Sequence, residues 1–152
     1  MLTALLLALA QGATLVRSGD TTVTTGARSP AYASDGRLAL SVQGDLWLRS
    51  RDGAGARWTR ITSGPAWDRQ PAWSADGASI VFTSNRSGNG DLWRVAIAPD
   101  GAAGTPERLT TSSEPEGEAS VAPDGTIAFS RGRGPLARLW LRAPDGKERR
   151  LT

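Results

Sequence analysis

Short apolar runs broken by turn residues set the pattern of this chain. Ser79-Ile80-Val81-Phe82-Thr83 alternates and is rich in β-branched and aromatic residues, as a half-buried strand requires. A polar loop, Ser84 to Gly90, separates it from a second such run, Asp91-Leu92-Trp93-Arg94-Val95-Ala96-Ile97. A shorter piece, Pro71-Ala72-Trp73-Ser74, precedes them and closes on Asp76-Gly77, while Asp100-Gly101 leads to a last piece ending Arg108-Leu109-Thr110. The stretch 68–110 therefore predicts four antiparallel strands joined as consecutive hairpins.

The rest of the chain repeats it. Asp-Gly turns fall at Asp35-Gly36, Asp76-Gly77 and Asp124-Gly125, spaced 41 and 48 residues apart. Matched strands follow at Leu38–Ser41, Ile80–Thr83 and Ile127–Ser130, then a Leu-Trp pair at Leu46-Trp47, Leu92-Trp93 and Leu139-Trp140. A second Asp-Gly comes next (Asp52-Gly53, Asp100-Gly101, Asp145-Gly146), and each unit closes on Arg-Ile/Leu-Thr at residues 60–62, 108–110 and 150–152. A four-stranded antiparallel sheet with tight turns consumes about 40 to 50 residues, and such sheets repeat radially in propellers. Asp-Gly supplies the positive-φ positions that primed hairpin turns need. The Leu-Trp pair places one large side chain on each face of its sheet, so Trp47, Trp93 and Trp140 are expected in the packing between sheets. The predicted fold is all-β, a partial propeller of three four-stranded blades over 29–64, 65–112 and 113–152, with a lead-in and closing-type strand over 14–28.

Composition narrows the chemistry. The chain has 152 residues, 39% hydrophobic and 22% charged, with Gly at 18 and Pro at 9 positions, as expected of a folded chain with many turns. All but one of its 18 basic residues are arginines, Lys147 being the exception, and they lie singly among acids with a net charge of only +3. That distribution argues for a solvated surface and against a nucleic-acid footprint. Absence of histidine and cysteine removes imidazole bases, thiolate nucleophiles and thiolate zinc sites. Leu2–Ala10 has the apolar character of a signal-peptide core, within a segment assigned to 1–13 that lacks a basic leader; it is too short to span a bilayer. If this segment directs export, the protein belongs in a periplasm or outside the cell.

The repeats resemble those of the TolB-type bacterial β-propeller family, whose units read loosely P-x-W-S-P-D-G, I-x-F-x-S-x-R, D-L-W and R-L-T. Pro71–Gly77, Ile80–Arg86, Asp91–Trp93 and Arg108–Thr110 match nearly throughout; the first unit has Tyr32 for the tryptophan, and the third has Val121. The resemblance runs from about residue 21 to the end. It implies a rigid platform presenting loops to a protein partner. Similar propellers also form parts of larger hydrolases, such as prolyl-oligopeptidase-like peptidases and amidohydrolase-related proteins, whose chemistry lies in another domain. Since such propellers close with six or more blades, the chain reads as a fragment of a longer one. Half-propellers that associate through exposed blade faces are the alternative.

Candidate functional residues lie before the innermost strands, which in a propeller surround the central channel. Aligning the units puts Arg28, Arg69 and Gly117 in one ring, and Ser29, Gln70 and Glu118 in the next. With Asp68, Glu114 and Glu116 they make a polar rim suited to peptide contacts, with no paired carboxylates in a fixed context and no metal-ligand spacing. No cofactor is implied. Asn85–Asp91 lacks the acidic alternation of a calcium loop, and Arg131-Gly132-Arg133-Gly134, although RGG-like, matches a hairpin loop in position. Trp58 and Trp67 lie outside the repeated positions and would serve a third reading, a carbohydrate-binding propeller.

Overall fold

A computed structural model describes residues 15–18, 21–24, 26–51 and 56–152. The apolar segment 1–13 and the Asp52-Gly53 turn lie outside these residues. The described strands are β1 (Leu15–Ser18), β2 (Thr21–Thr24), β3 (Ala27–Tyr32), β4 (Leu38–Val42), β5 (Asp45–Arg49), β6 (Trp58–Arg60), β7 (Asp68–Trp73), β8 (Ser79–Ser84), β9 (Asp91–Ala96), β10 (Glu107–Arg108), β11 (Glu116–Val121), β12 (Ile127–Arg131), β13 (Arg138–Arg142) and β14 (Glu148–Arg150). Three four-stranded antiparallel sheets, β3-β4-β5-β6, β7-β8-β9-β10 and β11-β12-β13-β14, are blades 1, 2 and 3. The partial propeller is thus present. Two details differ from the sequence reading. Ala27 and Arg28 belong to the first strand of blade 1, and β2 pairs with β1 in a separate hairpin.

The Asp-Gly turns form because glycine takes the left-handed conformation, with φ of 90° at Gly36, 68° at Gly77 and 84° at Gly125. Each aspartate fixes its turn by accepting a hydrogen bond from a backbone N–H two residues on, at Arg37, Ala78 and Thr126. The register is the same in all three blades. Leu40 faces Trp47, Phe82 faces Trp93, and Phe129 faces Trp140.

Blades pack face to face. Ala39, Leu46, Leu48 and Ile61 of blade 1 meet Trp73, Ile80, Phe82, Val95 and Ile97 of blade 2. Val81 and Leu92 of blade 2 meet Ile127 and Phe129 of blade 3, with Leu109 and Trp140 alongside. Leu46 and Leu92 therefore point to the following blade, and the tryptophans of the Leu-Trp pairs to the preceding side. Between the first turns, Arg37 stacks 4.7 Å over the Trp73 ring and donates to the Gly77 carbonyl at 2.6 Å, while Trp73 Nε1 donates to Ala31 O at 3.1 Å.

Candidate functional site

Each blade's first strand carries a bulge at the same place, and the bulge shapes the site. Register slips between Arg28 and Ala31, Arg69 and Ala72, and Gly117 and Ser120. In each slip a non-glycine residue adopts the left-handed region: Ser29 (φ 51°), Gln70 (φ 54°) and Glu118 (φ 54°). Such backbone costs energy and is held only where its surroundings over-determine it, so three copies mark a built feature of the innermost strands. Gln70 shows how it is held. Its Oε1 accepts from Thr83 Oγ1 at 3.1 Å and from the Glu118 N–H at 3.3 Å, tying the bulge of blade 2 to that of blade 3. Gly117 leaves room for this crossing, since a Cβ there would sit 2.8 Å from Gln70 Oε1.

Beside this crossing lies a groove of about 410 Å³ between blades 2 and 3, lined by Arg69, Gln70, Gly117, Glu118, Ser130 and Arg133, among others. Arg69, Glu118 and Arg133 are exposed and Gln70 is half-buried. The groove thus offers two guanidinium groups, a primary amide and one exposed carboxylate, with Gly117, Gly132, Gly134 and the buried Glu116 also in its lining. Arg28, at the place of Arg69 one blade earlier, is exposed on β3. Arg133 was not singled out from the sequence, and its only signal there was membership of the Arg-Gly-Arg-Gly run. A second cavity, about 770 Å³, opens at the opposite ends of blades 1 and 2, where Arg37, Arg51, Asp76 and Asp100 surround Leu48 and Ile97.

Asp68 and Glu116 depart from the expected rim of loop residues. They open strands β7 and β11, and both are buried, at 1% and 4% exposure. Each holds an arginine. Arg86 donates to Asp68 Oδ2 at 2.6 Å and lies 4.9 Å over the Trp93 ring; Arg131 donates from Nε to Glu116 Oε1 at 2.6 Å and lies 4.2 Å over Trp140. Arg131 also pairs with Glu148, and Glu116 accepts from Thr110 Oγ1 of blade 2. Burial pushes the Glu116 carboxyl above the usual range, against the lowering effect of its bonds from Thr110 and Arg131. Burial alone would lower Arg131, but its bonds to Glu148 and Glu116 outweigh that and hold it up. Both values rise, but with opposite meaning: burial disfavours the charged form of Glu116, while two acidic partners favour the charged form of Arg131. Arg131 is therefore engaged inside blade 3, not offered to nucleic acid as part of an RGG-like run.

The same residues explain two further motifs. Asp45 pairs with Arg60 and Asp91 with Arg108, so the acid of D-L-W binds the arginine of R-I/L-T across the outer strand pair. The closing threonine accepts the leucine N–H: Leu46 to Thr62 and Leu92 to Thr110 at 2.9 Å, Leu139 to Thr152 at 3.0 Å. Asn85–Asn89 is a brace, with Asn85 Oδ1 accepting from Trp67 N and Asn89 donating to Ser112 O. Trp47 and Trp73 are buried, Trp93 and Trp140 half-buried, Trp58 packs beside Trp47, and Trp67 is 64% exposed. Among the described residues, no group of three or more His, Cys, Asp or Glu side chains could hold a metal ion, and no helix is long and apolar enough to cross a membrane.

The architecture defines a propeller-type repeat protein with a polar groove beside its innermost strands. The comparisons make this a TolB-like propeller-type fold. The chain is 40% identical over 45 residues to the Tol-Pal system protein TolB of Bordetella pertussis, a match spanning 30% of this chain and 10% of that protein. The B. parapertussis TolB gives the same figures. Among solved structures, a protein described as TolB from Agrobacterium tumefaciens superposes with a TM-score of 0.70 at 23% identity, over 83% of this chain and 49% of that one. TolB from Acinetobacter baumannii gives 0.63 at 22%, over 87% and 34%. A puromycin-hydrolyzing peptidase of Mycobacterium tuberculosis gives 0.64 at 19%, over 91% and 23%. No family model matches the chain. The chain thus spans half or less of these structures and a tenth of the curated relatives, and the structural likenesses speak for the fold.

Proposed function

We infer that the chain is a non-catalytic, TolB-like propeller module that binds a protein partner in a periplasm or outside the cell. The observation that carries this reading is the groove between blades 2 and 3. Its exposed Arg69, Glu118 and Arg133, with the Gln70 amide, offer charged and hydrogen-bonding contacts to a peptide segment, while the nearest buried acid, Glu116, is committed to Arg131. An acid so committed is poorly placed to shuttle protons, and the chain has no histidine or cysteine to replace it.

The test is site-specific photo-crosslinking in the source cells, with the probe at Arg69, at Arg133, or at the exposed Arg94 of blade 2 as a control. The reading expects one protein captured from both groove positions but not from Arg94, and captured at least ten-fold less when Glu118 is changed to Lys. Equal capture at all three positions would remove the groove from the argument.

The second reading is the propeller part of a hydrolase whose catalytic domain lies outside this chain. It is favoured by the peptidase match, which covers 91% of the chain at a TM-score equal to that of the TolB structures within 0.06. It expects the captured polypeptide to carry hydrolase activity toward an aminoacyl amide, with none in the chain alone.

A further inference from the structure

The cavity of about 770 Å³ between blades 1 and 2, at the ends away from the groove, has walls of opposite charge. Blade 1 supplies Arg37, Arg51 and Arg57, and blade 2 supplies Asp76 and Asp100, around a floor that includes Leu48 and Ile97. Both blades that enclose it are complete four-stranded sheets. Its volume lies within the range of small-molecule sites.

The repeat shows that the arginines are not there for the fold. Arg37 of blade 1 corresponds to Ala78 of blade 2, each being the residue after an Asp-Gly turn. Ser50 N donates to Arg57 O at 2.9 Å in blade 1, as Ala98 N donates to Ala102 O at 2.8 Å in blade 2. That match aligns Arg51 with Pro99 and Arg57 with Ala102. Blade 2 thus forms its sheet with no cation at any of the three places, while in blade 1 all three arginines line one cavity.

Arg37 is the fixed member. It is 9% exposed, stacks over Trp73, and donates from Nε to Asp35 Oδ2 at 2.8 Å and from Nη2 to Gly77 O at 2.6 Å. A Cβ on residue 77 would come 2.6 Å from that Nη2, so the turn glycine makes room for the guanidinium. Arg37 Nη1 is buried without a hydrogen-bond partner among the described residues, and a donor of that kind calls for an acceptor. Arg51 and Arg57 are freer. Arg51, its side chain 70% exposed, reaches only Asp35 Oδ2, at 3.4 Å, an oxygen already held by Arg37. The exposed Arg57 guanidinium has no partner among the described residues. On the facing wall Asp76 and Asp100 accept their turn bonds at Oδ1, from Ala78 N at 3.0 Å and Ala102 N at 2.9 Å. No described residue bonds either Oδ2, and no described ion pair joins Arg51 or Arg57 to Asp76 or Asp100.

We propose that this cavity binds a small zwitterion, its carboxylate toward Arg51 and Arg57, its ammonium toward Asp76 and Asp100, and an apolar body over Leu48 and Ile97. A simple anion would be repelled by the aspartates and a simple cation by the arginines, whereas a dipolar ligand pairs with both walls. Free amino acids and short peptides with unblocked termini share this chemistry. The site is independent of the groove at Arg69.

The test titrates leucine, and separately the dipeptide alanyl-leucine, into the isotope-labelled chain at low salt. It follows the amide resonances of Gly77 and Gly101, which line the cavity. At least one ligand should shift both resonances with millimolar affinity or better. Acetylating its amine or amidating its carboxylate should each weaken binding about five-fold, the upper range for an exposed charge pair. Arg51→Gln with Arg57→Gln should cut the effect of amidation below about two-fold and keep that of acetylation; Asp76→Asn with Asp100→Asn should do the reverse. Asparagine Oδ1 keeps the turn bonds, and a crossed pattern of this kind does not arise from a chain that merely folds less well. Tighter binding of leucine assigns a free amino acid as the ligand, and tighter binding of the dipeptide assigns a short peptide. Three results overturn the proposal: no shift by about 10 mM of either ligand, blocked forms that bind as tightly as the free ones, or variants that weaken free and blocked ligands alike.

Discussion

Blade 1 and blade 3 fill the same socket with opposite chemistry. At the rows where the first, second and third strands meet, blade 1 has Ala27, Val42 and Asp45, and blade 3 has Glu116, Arg131 and Arg138. Val42 is a hydrocarbon, 6% exposed, in a cluster with Leu40, Trp47 and Trp58. Arg131 lies over Trp140 and Phe129 with carboxylates of Glu116 and Glu148 on it. Blade 2 is intermediate: its arginine, Arg86, comes from the β8–β9 loop, reaching back over Trp93 to Asp68. The fold needs this corner above the tryptophan filled, and either apolar volume or a neutralised ion pair fills it. The choices differ in how they fail, because losing hydrocarbon leaves a small gap whereas losing one ion leaves its partner buried and charged.

The largest expected effect follows from that asymmetry. Arg131→Ala leaves Glu116, with a fully buried side chain, without its cation, and should cost about 3–5 kcal/mol by urea unfolding, the range for a broken buried pair. Val42→Ala at the matching place in blade 1 removes two carbons and should cost about 1.5 kcal/mol, at roughly 0.8 per buried CH₂. Equal costs would mean that blade 3's corner is wet enough to screen Glu116, and the contrast between the blades would collapse.

Titration sharpens the contrast. The Glu116 carboxyl is raised by burial, so through the interval between its ordinary value and its folded value the native state binds more protons than the unfolded state. Its contribution therefore favours folding as pH falls through that interval and is lost as pH rises above it. Asp35, Asp76, Asp124 and Asp145 run the other way. Hydrogen bonds lower them: from the Arg37 backbone to Asp35, from the Ser74 side chain to Asp76, from the Thr126 backbone to Asp124, and from the Lys147 side chain to Asp145. Their contribution is present at neutral pH and lost as pH falls through their lowered values. Glu116→Gln should thus lose stability relative to the wild type as pH drops from 7 toward about 4.5, the ordinary glutamate value, while the loss of stability at still lower pH remains in both. Parallel curves for the two proteins across pH 7 to 4.5 would sink the assignment.

These differences also mark where the sequence could be read and where it could not. Asp-Gly turns, the Leu-Trp pair and the closing Arg-Leu-Thr are local signals: each needs only its own neighbours to define a turn, a strand face or a hydrogen bond, and each sits where the repeat places it. Asp68 and Glu116 read as solvated rim residues because an acid before a strand is ordinarily exposed. What buries them arrives from far along the chain, Arg86 and Arg131 being 18 and 15 residues away. Ring alignment did bring Ser29, Gln70 and Glu118 together, but nothing in a serine, a glutamine and a glutamate announces left-handed backbone.

That hidden strain yields the smallest prediction. Ser29 and Gln70 hold the same positive φ, yet Gln70 carries the bridge from Thr83 to Glu118, and Ser29 lies exposed at the start of blade 1. Glycine adopts this backbone without the steric cost of a Cβ, roughly 1–2 kcal/mol, but loses about 0.5–1 kcal/mol of unfolded-state entropy. Ser29→Gly should therefore stabilise by about 0.5 kcal/mol, a shift in melting temperature of a degree or two. Gln70→Gly relieves the same strain but deletes two hydrogen bonds worth about 1 kcal/mol each, so it should destabilise by about 1.5 kcal/mol. Opposite signs at one structural position would show that the bulge of blade 2 is held by its amide and that of blade 1 by the fold alone. If Gln70→Gly also stabilised, the amide bridge would contribute nothing, and the groove's edge would have to be held by Gly117 packing instead.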